Sequence, residues 1–536
     1  DGAGGSFTTS YRYRNGRLSR VGRGFLGFAA VRATDSRYPA VHGIDVYTET
    51  TYRQDFPLVG AVTGIVTSRT DGQTFRTSTS TFASSARPAP ADPAVDSHFI
   101  YLAREVTEDY ETDPDGGVAG SLTRRRERTL TWNTTHGVAT RDVIVTTSPD
   151  DPAIHTTTTA RTLDEAARLG SGCLGLVTRE DVTESVSTGD TASRTTTATW
   201  SAANCRRLTT TTGSTTLAAA QLVTSYAYDA AGQATAIARR PADGSLPERR
   251  TLLSYAPGSR RPVSETEVLA GAPAHVTRHT WHHGLDQELS RTDPRGLVST
   301  WRWDAFGRLT REVQADAAGG GSTVAYLPCD EACFAPHAAY QIASLRDDGF
   351  WSLTLHDALG REVGRELPLA GHAASRQVTR YDAFGRVARE SVPYAGAEPA
   401  FWVERGYEPG GRPRLEERPA DGGDARGART RVSHARLATT TTDAEGRTVT
   451  RTTDARGRLV AVTSPLGGTA RYAWTPFGES AAITDANGTT TRLAYDDRGL
   501  VATVTAPDSG VRTTTWNAFG ELATEAADAG APTLVT

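Results

Sequence analysis

Four of the chain's twelve histidines, His275, His279, His282 and His283, fall within nine residues. On a helix His275, His279 and His282 would share a face and present a metal-binding set. On a strand only alternate residues share a face, so His279 and His283 would flank an inward Trp281 as surface or lumen groups. Cys329 and Cys333, with His337, supply three metal-ligand types and no fourth. Together with Cys173 and Cys205, the even count equally permits two disulfides in a β-rich exported chain, or free thiols. The sequence contains no G-x-S-x-G, no H-E-x-x-H and no G-x-x-x-x-G-K-[ST]. All 58 basic residues are arginine, which excludes lysine-based catalysis and a lysine phosphate loop. Carboxylates abound, but nearly all sit in Asp-x-x-Gly sequences, and nothing singles out an acid/base pair. The expectation is a protein that is not an enzyme, with no catalytic residue, cofactor site or metal site.

Those Asp-x-x-Gly sequences belong to a repeat. An aromatic residue followed, four positions on, by glycine recurs at Tyr228-Asp229 to Gly232, Trp303-Asp304 to Gly307, Tyr381-Asp382 to Gly385, Trp474-Thr475 to Gly478, Tyr495-Asp496 to Gly499 and Trp516-Asn517 to Gly520. His356-Asp357 to Gly360 is a degenerate copy. Trp474, Tyr495 and Trp516 are 21 positions apart, and such a period marks a repeat architecture. Asp at the first turn position bonds the backbone two residues on, and Gly at the fourth accepts φ > 0, so each unit reads as a hairpin turn. A second glycine turn between the aromatic ones gives strand, turn, strand, turn per repeat, each strand spanning roughly 20–25 Å. Phe306, Phe384, Phe477 and Phe519 precede the glycines and are expected to pack between neighbouring turns.

Threonine runs at 156–159, 209–212 and 439–442 favour strands through β-branching but bury little apolar surface. A sheet wet on both faces reads this way; a filled barrel or sandwich would alternate more cleanly. With 536 residues and a net charge of −4, the chain has room for several domains or one long array. Arginines and carboxylates are interspersed, which argues against nucleic acid; the dense run Arg124–Arg128 reads as a solvated strand or loop. No run of 18 apolar residues offers a membrane-spanning segment. The absence of methionine and lysine suggests a GC-rich bacterial genome, and the sequence is expected to be part of a longer chain.

Three regions are expected. Residues 1–130 are β-rich without a clear repeat, with a Pro/Ala loop at 87–93. Residues 131–270 are Thr-rich strands, with one short helical turn at 163–169. Residues 271–536 carry the regular repeats, interrupted by insertions at 317–340 and 409–430.

At the repeats, Tyr381-Asp382-Ala383-Phe384-Gly385-Arg386 and Trp303-Asp304-Ala305-Phe306-Gly307-Arg308 closely resemble the Tyr-Asp-x-x-Gly-Arg signature of the RHS/YD-repeat family. The resemblance covers residues 226–536. Near the start, Gly22–Phe28 and Thr51–Gly60 resemble the region following the propeller in insecticidal toxin complex B components and SpvB-like proteins, which makes residues 1–130 a shell or adaptor region. The resemblance implies an all-β fold in which YD/RHS hairpins form a long sheet spiralling into a hollow, cocoon-like shell. It also implies a bacterial, secreted or extracellular protein that encapsulates and helps deliver a C-terminal toxin domain. The implied partners are that toxin polypeptide and a secretion or translocation component of a toxin complex, with no nucleic acid and no cofactor. The family's shell-closing segment and self-cleaving aspartyl site are not found before Thr536, so no catalytic residue carries over. YD repeats also build the shells of adhesion receptors, which leaves a cell-surface adhesion or glycan-binding protein as the alternative.

Overall fold

The computed structural model describes residues 6–37, 45–86, 98–112, 120–164, 172–214, 216–315, 320–330, 333–396, 401–419, 428–527 and 533–534. Among them are 39 strands, from β1 (Thr9–Leu18) to β39 (Thr533–Leu534), and no α-helix. Every strand pairs antiparallel with the next in sequence, so the chain is one uninterrupted meander. Position 130 falls inside β7 (Leu122–Asn133), and 270 in the link between β16 (Pro262–Leu269) and β17 (His275–Trp281). The Pro/Ala loop and most of the short helical turn expected from sequence lie outside the described residues.

Each repeat is a hairpin built by its turn. In the turn after β19 (Val298–Trp303), Asp304 N–H donates to Arg308 O at 2.9 Å and Gly307 N–H to Asp304 O at 3.0 Å. The Asp304 carboxylate accepts the amides of Phe306 and Arg308 on one oxygen, and Arg308 Nε at 2.7 Å on the other. The same clamp recurs at Asp357–Arg361, Asp382–Arg386 and Asp454–Arg458. It explains Arg after Gly in these copies: the guanidinium neutralises the carboxylate that folds the turn. Gly232, Gly307, Gly385, Gly478, Gly499 and Gly520 all have φ between +74° and +99°, and a bulge precedes the aromatic residue in each ladder.

The aromatic residue does more than mark the turn. Trp474 Nε1 donates to Leu459 O at 2.8 Å, Tyr495 Oη to Ser480 O at 2.8 Å, and Trp516 Nε1 to Val501 O at 2.6 Å. Tyr228, Trp303, Tyr381 and Tyr407 do the same to Arg207, Glu288, Glu362 and Val387. Most of these acceptors open the strand after the preceding aromatic turn. In the ladder between β34 (Ser480–Thr484) and β35 (Thr490–Tyr495), pairing stops at Ala482↔Arg492, and Tyr495 takes the Ser480 carbonyl beyond it. A position that must donate from the tip of a large ring accepts Tyr or Trp and rejects Phe.

The sheet has no continuous core. Strands such as β32 (Leu459–Thr463) are half-buried at every position, so both faces meet solvent. The accessible surface is 30490 Å², against about 19,000 Å² for a compact globule of this mass. One buried apolar cluster stands among the described residues: Ala335, Leu355, Val363 and Val378, with Cys329, Cys333 and Phe334 packed on it. The expected insertion at 317–340 is therefore in part a regular strand, β21 (Gly321–Pro328), and in part this plug. The expected loop at 409–430 contains β28 (Pro413–Glu417), because Glu408 replaces Asp in an otherwise normal turn clamped by Arg412.

Replacing Tyr495 by Phe should cost about 1 kcal/mol in a denaturant melt by leaving the Ser480 carbonyl unpaired, whereas Tyr495→Trp should retain most of that stability.

Candidate functional site

Among the described residues, the polar contacts that join distant parts of the chain lie along one line. Arg412 bridges the buried carboxylates of Glu111 and Glu408, and Arg436 N–H donates to Glu111 Oε2 at 2.6 Å. Arg436 also pairs with Asp150, Ala455 N–H donates to Asp151 Oδ2 at 2.9 Å, and Arg456 reaches Glu184 at 2.5 Å. Further along, Arg194 pairs with Glu479 and Arg249 with Glu521 at 2.7 Å. The ion pairs Glu111–Arg412, Asp150–Arg436, Arg194–Glu479 and Arg249–Glu521 join residues 301, 286, 285 and 272 positions apart, in register with one another. The meander therefore coils, and the turns of its second coil rest on the strand ends of its first. This seam is the site on which any enclosed volume depends.

The residue before the turn glycine reads across the seam. Phe384 lies under the Arg37 guanidinium at 5.2 Å, Phe477 under Arg194 at 4.0 Å and Phe519 under Arg249 at 3.8 Å; Arg456 occupies the same position in its turn. The expectation that these phenylalanines pack between neighbouring turns is corrected: three of them cap arginines of the other coil, and Phe306 is 83% exposed. Sequence reasoning missed this role because the partners lie hundreds of residues away.

Carboxylates at the seam are held ionised. The Arg249 hydrogen bond, followed by that from Asn517, lowers Glu521 to about 2. Burial pushes Glu479 up, but its bonds to Thr475 and Arg194 outweigh that and hold it below the ordinary value. Asp151 is likewise pushed up by burial and brought down further by the Ala455 and Ala153 amides and His155.

Asp151, His155 and Asp454 bring three potential ligand atoms within 4.8 Å. The two carboxylates are already used: Asp454 by the Arg456 and Arg458 amides and Arg458 Nε, Asp151 by Ala455 and His155. The cluster is a polar junction between coils. A cleft of about 540 Å³ on the seam is lined by Arg76, Asp109, Arg124, Glu408 and Arg412, whose charges pair with one another.

The sequence-derived metal candidates do not converge. His279 stacks on Trp281 and bonds Glu288 at 2.6 Å. His282 accepts the Gly284 and Leu285 amides in the turn, and His275 and His283 are exposed. His283 lies in that turn, not on the strand, so it does not flank Trp281. Cys173 is bonded to Cys205 and Cys329 to Cys333, so neither Cys329 nor Cys333 offers His337 a thiolate. The run at 124–128 lies on β7, with Arg124, Arg125 and Arg128 paired to Asp109, Glu108 and Asp142. No helix among the described residues is long and apolar enough to cross a membrane.

The RHS Repeat family matches residues 282–318, 454–490 and 474–511. The crystal structure of TcdB2–TccC3 is similar at a TM-score of 0.73 and 12% identity, over 97% of this chain and 37% of that one. The same complex without its hypervariable C-terminal region gives 0.73 and 11%, over 97% and 38%. The Photorhabdus luminescens Tc holotoxin pore gives 0.74 and 12%, again over 97% and 38%. The chain thus spans less than two-fifths of the length of these structures and shares their fold. No curated protein matches the sequence.

Two substitutions separate turn strain from seam strain. A Cβ at Gly307 meets open space, whereas one at Gly499 would strike Arg194 and Glu479. Gly307→Val should cost roughly 1–3 kcal/mol from its positive φ alone; Gly499→Val should cost more in the same melt and exceed Asp496→Ala, which loses a turn bond worth about 1 kcal/mol. The second test is pH. Because folding lowers Glu521 to about 2, its stabilisation is fully present above its unfolded value and is lost as pH falls through the folded one. The gap in denaturation midpoint between the natural chain and Glu521→Gln should hold from neutrality to about pH 4.5 and close near pH 2.

Proposed function

We propose, from the match of residues 282–318 and 454–511 to the RHS Repeat family and from the shared fold, that the chain is the wall of a toxin shell: a coiled sheet that encloses a toxin polypeptide and helps deliver it, with no chemistry of its own. The observation that carries this reading is a wall one sheet thick, coiled and sealed on itself, with solvent on both faces. A polar, Thr-lined wall offers cargo few apolar anchors, so an unfolded passenger is retained by enclosure and released without breaking a tight interface. The carboxylates are committed to turns and seam pairs, which supports a structural role. The likeness to TcdB2–TccC3 and to the Tc holotoxin pore supports a place in a secreted toxin complex, where a translocation component would be the second partner.

The test is protection. The protein is produced together with the polypeptide encoded downstream of it and exposed to a broad-specificity protease. The passenger should survive with the natural wall and be degraded when Gly499→Val loosens the seam. Equal degradation with both walls would overturn the container reading, and specific retention of the empty wall on a glycan array would then favour the adhesion alternative.

A further inference from the structure

The two disulfides hold different things. Cys173–Cys205 ties the link after β9 (Asp151–Leu163) to the turn after β11 (Thr191–Trp200). There Cys205 closes a hairpin, donating its amide to Ser201 O at 3.1 Å, and Cys173 is 2% exposed. Cys329–Cys333 joins residues 4 positions apart in the link from β21 to β22 (Tyr340–Arg346). It closes a small ring at the base of the plug, and both of its cysteines are half-buried. Thiol–disulfide exchange needs a thiolate to reach a sulfur, so this bond is the more open of the two.

Beyond Cys333 the plug leaves the edge of the sheet and lies on its face. Phe334 and Ala335 cover Gly364, which sits inside β24 (Glu362–Leu369) and not in a turn. A Cβ at Gly364 would stand 2.8 Å from Ala335 Cβ and 3.0 Å from the Phe334 ring. Glycine inside a strand marks such a close approach. Beneath lie Leu355 and Val378, 0% and 2% exposed, in the one buried apolar cluster among the described residues. Cys333 and Ala338 donate their amides to Asp330 and Ala335, within the plug, so those bonds do not tie it to the sheet. Arg376, neutralised by Glu366, lies over the Phe334 ring at 4.9 Å. The apolar contact and the ring closed by the disulfide are what hold the plug down.

We propose that Cys329–Cys333 is a thiol-exchange site: a small thiol of the glutathione kind reduces it, and the freed plug lifts from the sheet. The thiolate attacks one cysteine sulfur, forming a mixed disulfide and expelling the other cysteine as a thiolate, which takes a proton. A second thiol attacks the external sulfur of the mixed disulfide and releases the first cysteine. Two small thiols thus give up two electrons and leave as one disulfide, and Cys329 and Cys333 end as thiols. Opening the ring raises the entropy of the detached plug and turns Phe334, Leu355 and Val378 toward water. The wall is then tight in an oxidising medium and loosened at this one place in a reducing one. That the reducing medium is a target cell's interior rests on the shell reading; the exchange itself does not.

The test uses the whole chain, oxidised, with reduced glutathione. Alkylation by iodoacetamide and mass spectrometry of the peptides report which cysteines are reduced, and a dye that brightens on apolar surface reports the patch. Cys329 and Cys333 should be alkylated about tenfold or more faster than Cys173 and Cys205. Dye fluorescence should rise with them, and oxidised glutathione should reverse it. Cys329→Ser combined with Cys333→Ser should give the high dye signal with no thiol present. If that variant does not fold, Phe334→Ala, which keeps the disulfide but removes the plug's apolar anchor, should speed reduction of Cys329–Cys333 and not of Cys173–Cys205. Equal rates at the two disulfides, reduction of Cys329–Cys333 without a rise in dye signal, or no reduction of that pair would overturn the proposal. Every readout is taken on the empty wall, so the protease test of the passenger can fail while these hold, and these can fail while it holds.

Discussion

The structure depends on a hydrogen bond from the tip of an aromatic ring to a carbonyl that the sheet ladder leaves unpaired. A meander of short strands joined by bulged turns has a weakness at each turn, because the ladder ends before the strand does. Tyr or Trp at the end of one hairpin closes the start of the hairpin before it, as Trp516 does for Val501. Each repeat is thereby tied to its neighbour without needing a core beneath it. That permits a sheet hydrated on both faces to persist as a wall, since in a repeat array stability accumulates from nearest-neighbour terms.

Coiling adds a second requirement, which is met electrostatically. The seam joins edges that cannot form a continuous ladder, and it does so with guanidinium groups over rings and against carboxylates. Glu111 and Glu408, both fully buried, share Arg412, and leaving either unpaired would cost far more than an exposed pair contributes. The exposed pairs, such as Arg249–Glu521, are individually weak, and they set register more than strength. Register matters here because a slip by one repeat would place Phe477, Phe519 and Arg456 opposite the wrong groups.

Much of this was legible in the sequence. The period of 21, the Asp-x-x-Gly turns and the threonine-rich strands specified an all-β array of hairpins, and the resemblance to RHS/YD repeats specified how the array is arranged. The turn glycines could be read singly because their φ follows from local chemistry. The seam could not. Nothing local distinguishes Arg194, which caps Phe477, from arginines that merely face solvent, and Phe306 and Phe384 sit in identical pentapeptides although one is exposed and the other half-buried. The loop expected at 409–430 gave way to a strand over Pro413–Glu417 for a related reason: Glu408 in the Asp position disguised a normal turn, and its geometry is recovered by Arg412, whose role is apparent only once Glu111 stands beside it.

The histidines and cysteines show how a repeat wall absorbs residues that elsewhere would suggest chemistry. His279 spends one nitrogen on Glu288 and lays its ring on Trp281, while His282 holds a turn. Among the described residues Asp151, His155 and Asp454 come nearest to a ligand set, and they meet only because two coils touch, the two carboxylates being filled by backbone amides, the His155 ring and the Arg458 guanidinium. A wall most of whose described charged groups are engaged with each other, along strands or across the seam, has little left with which to grip what it encloses. Its inertness toward cargo and its integrity as a barrier thus come from the same set of hydrogen bonds.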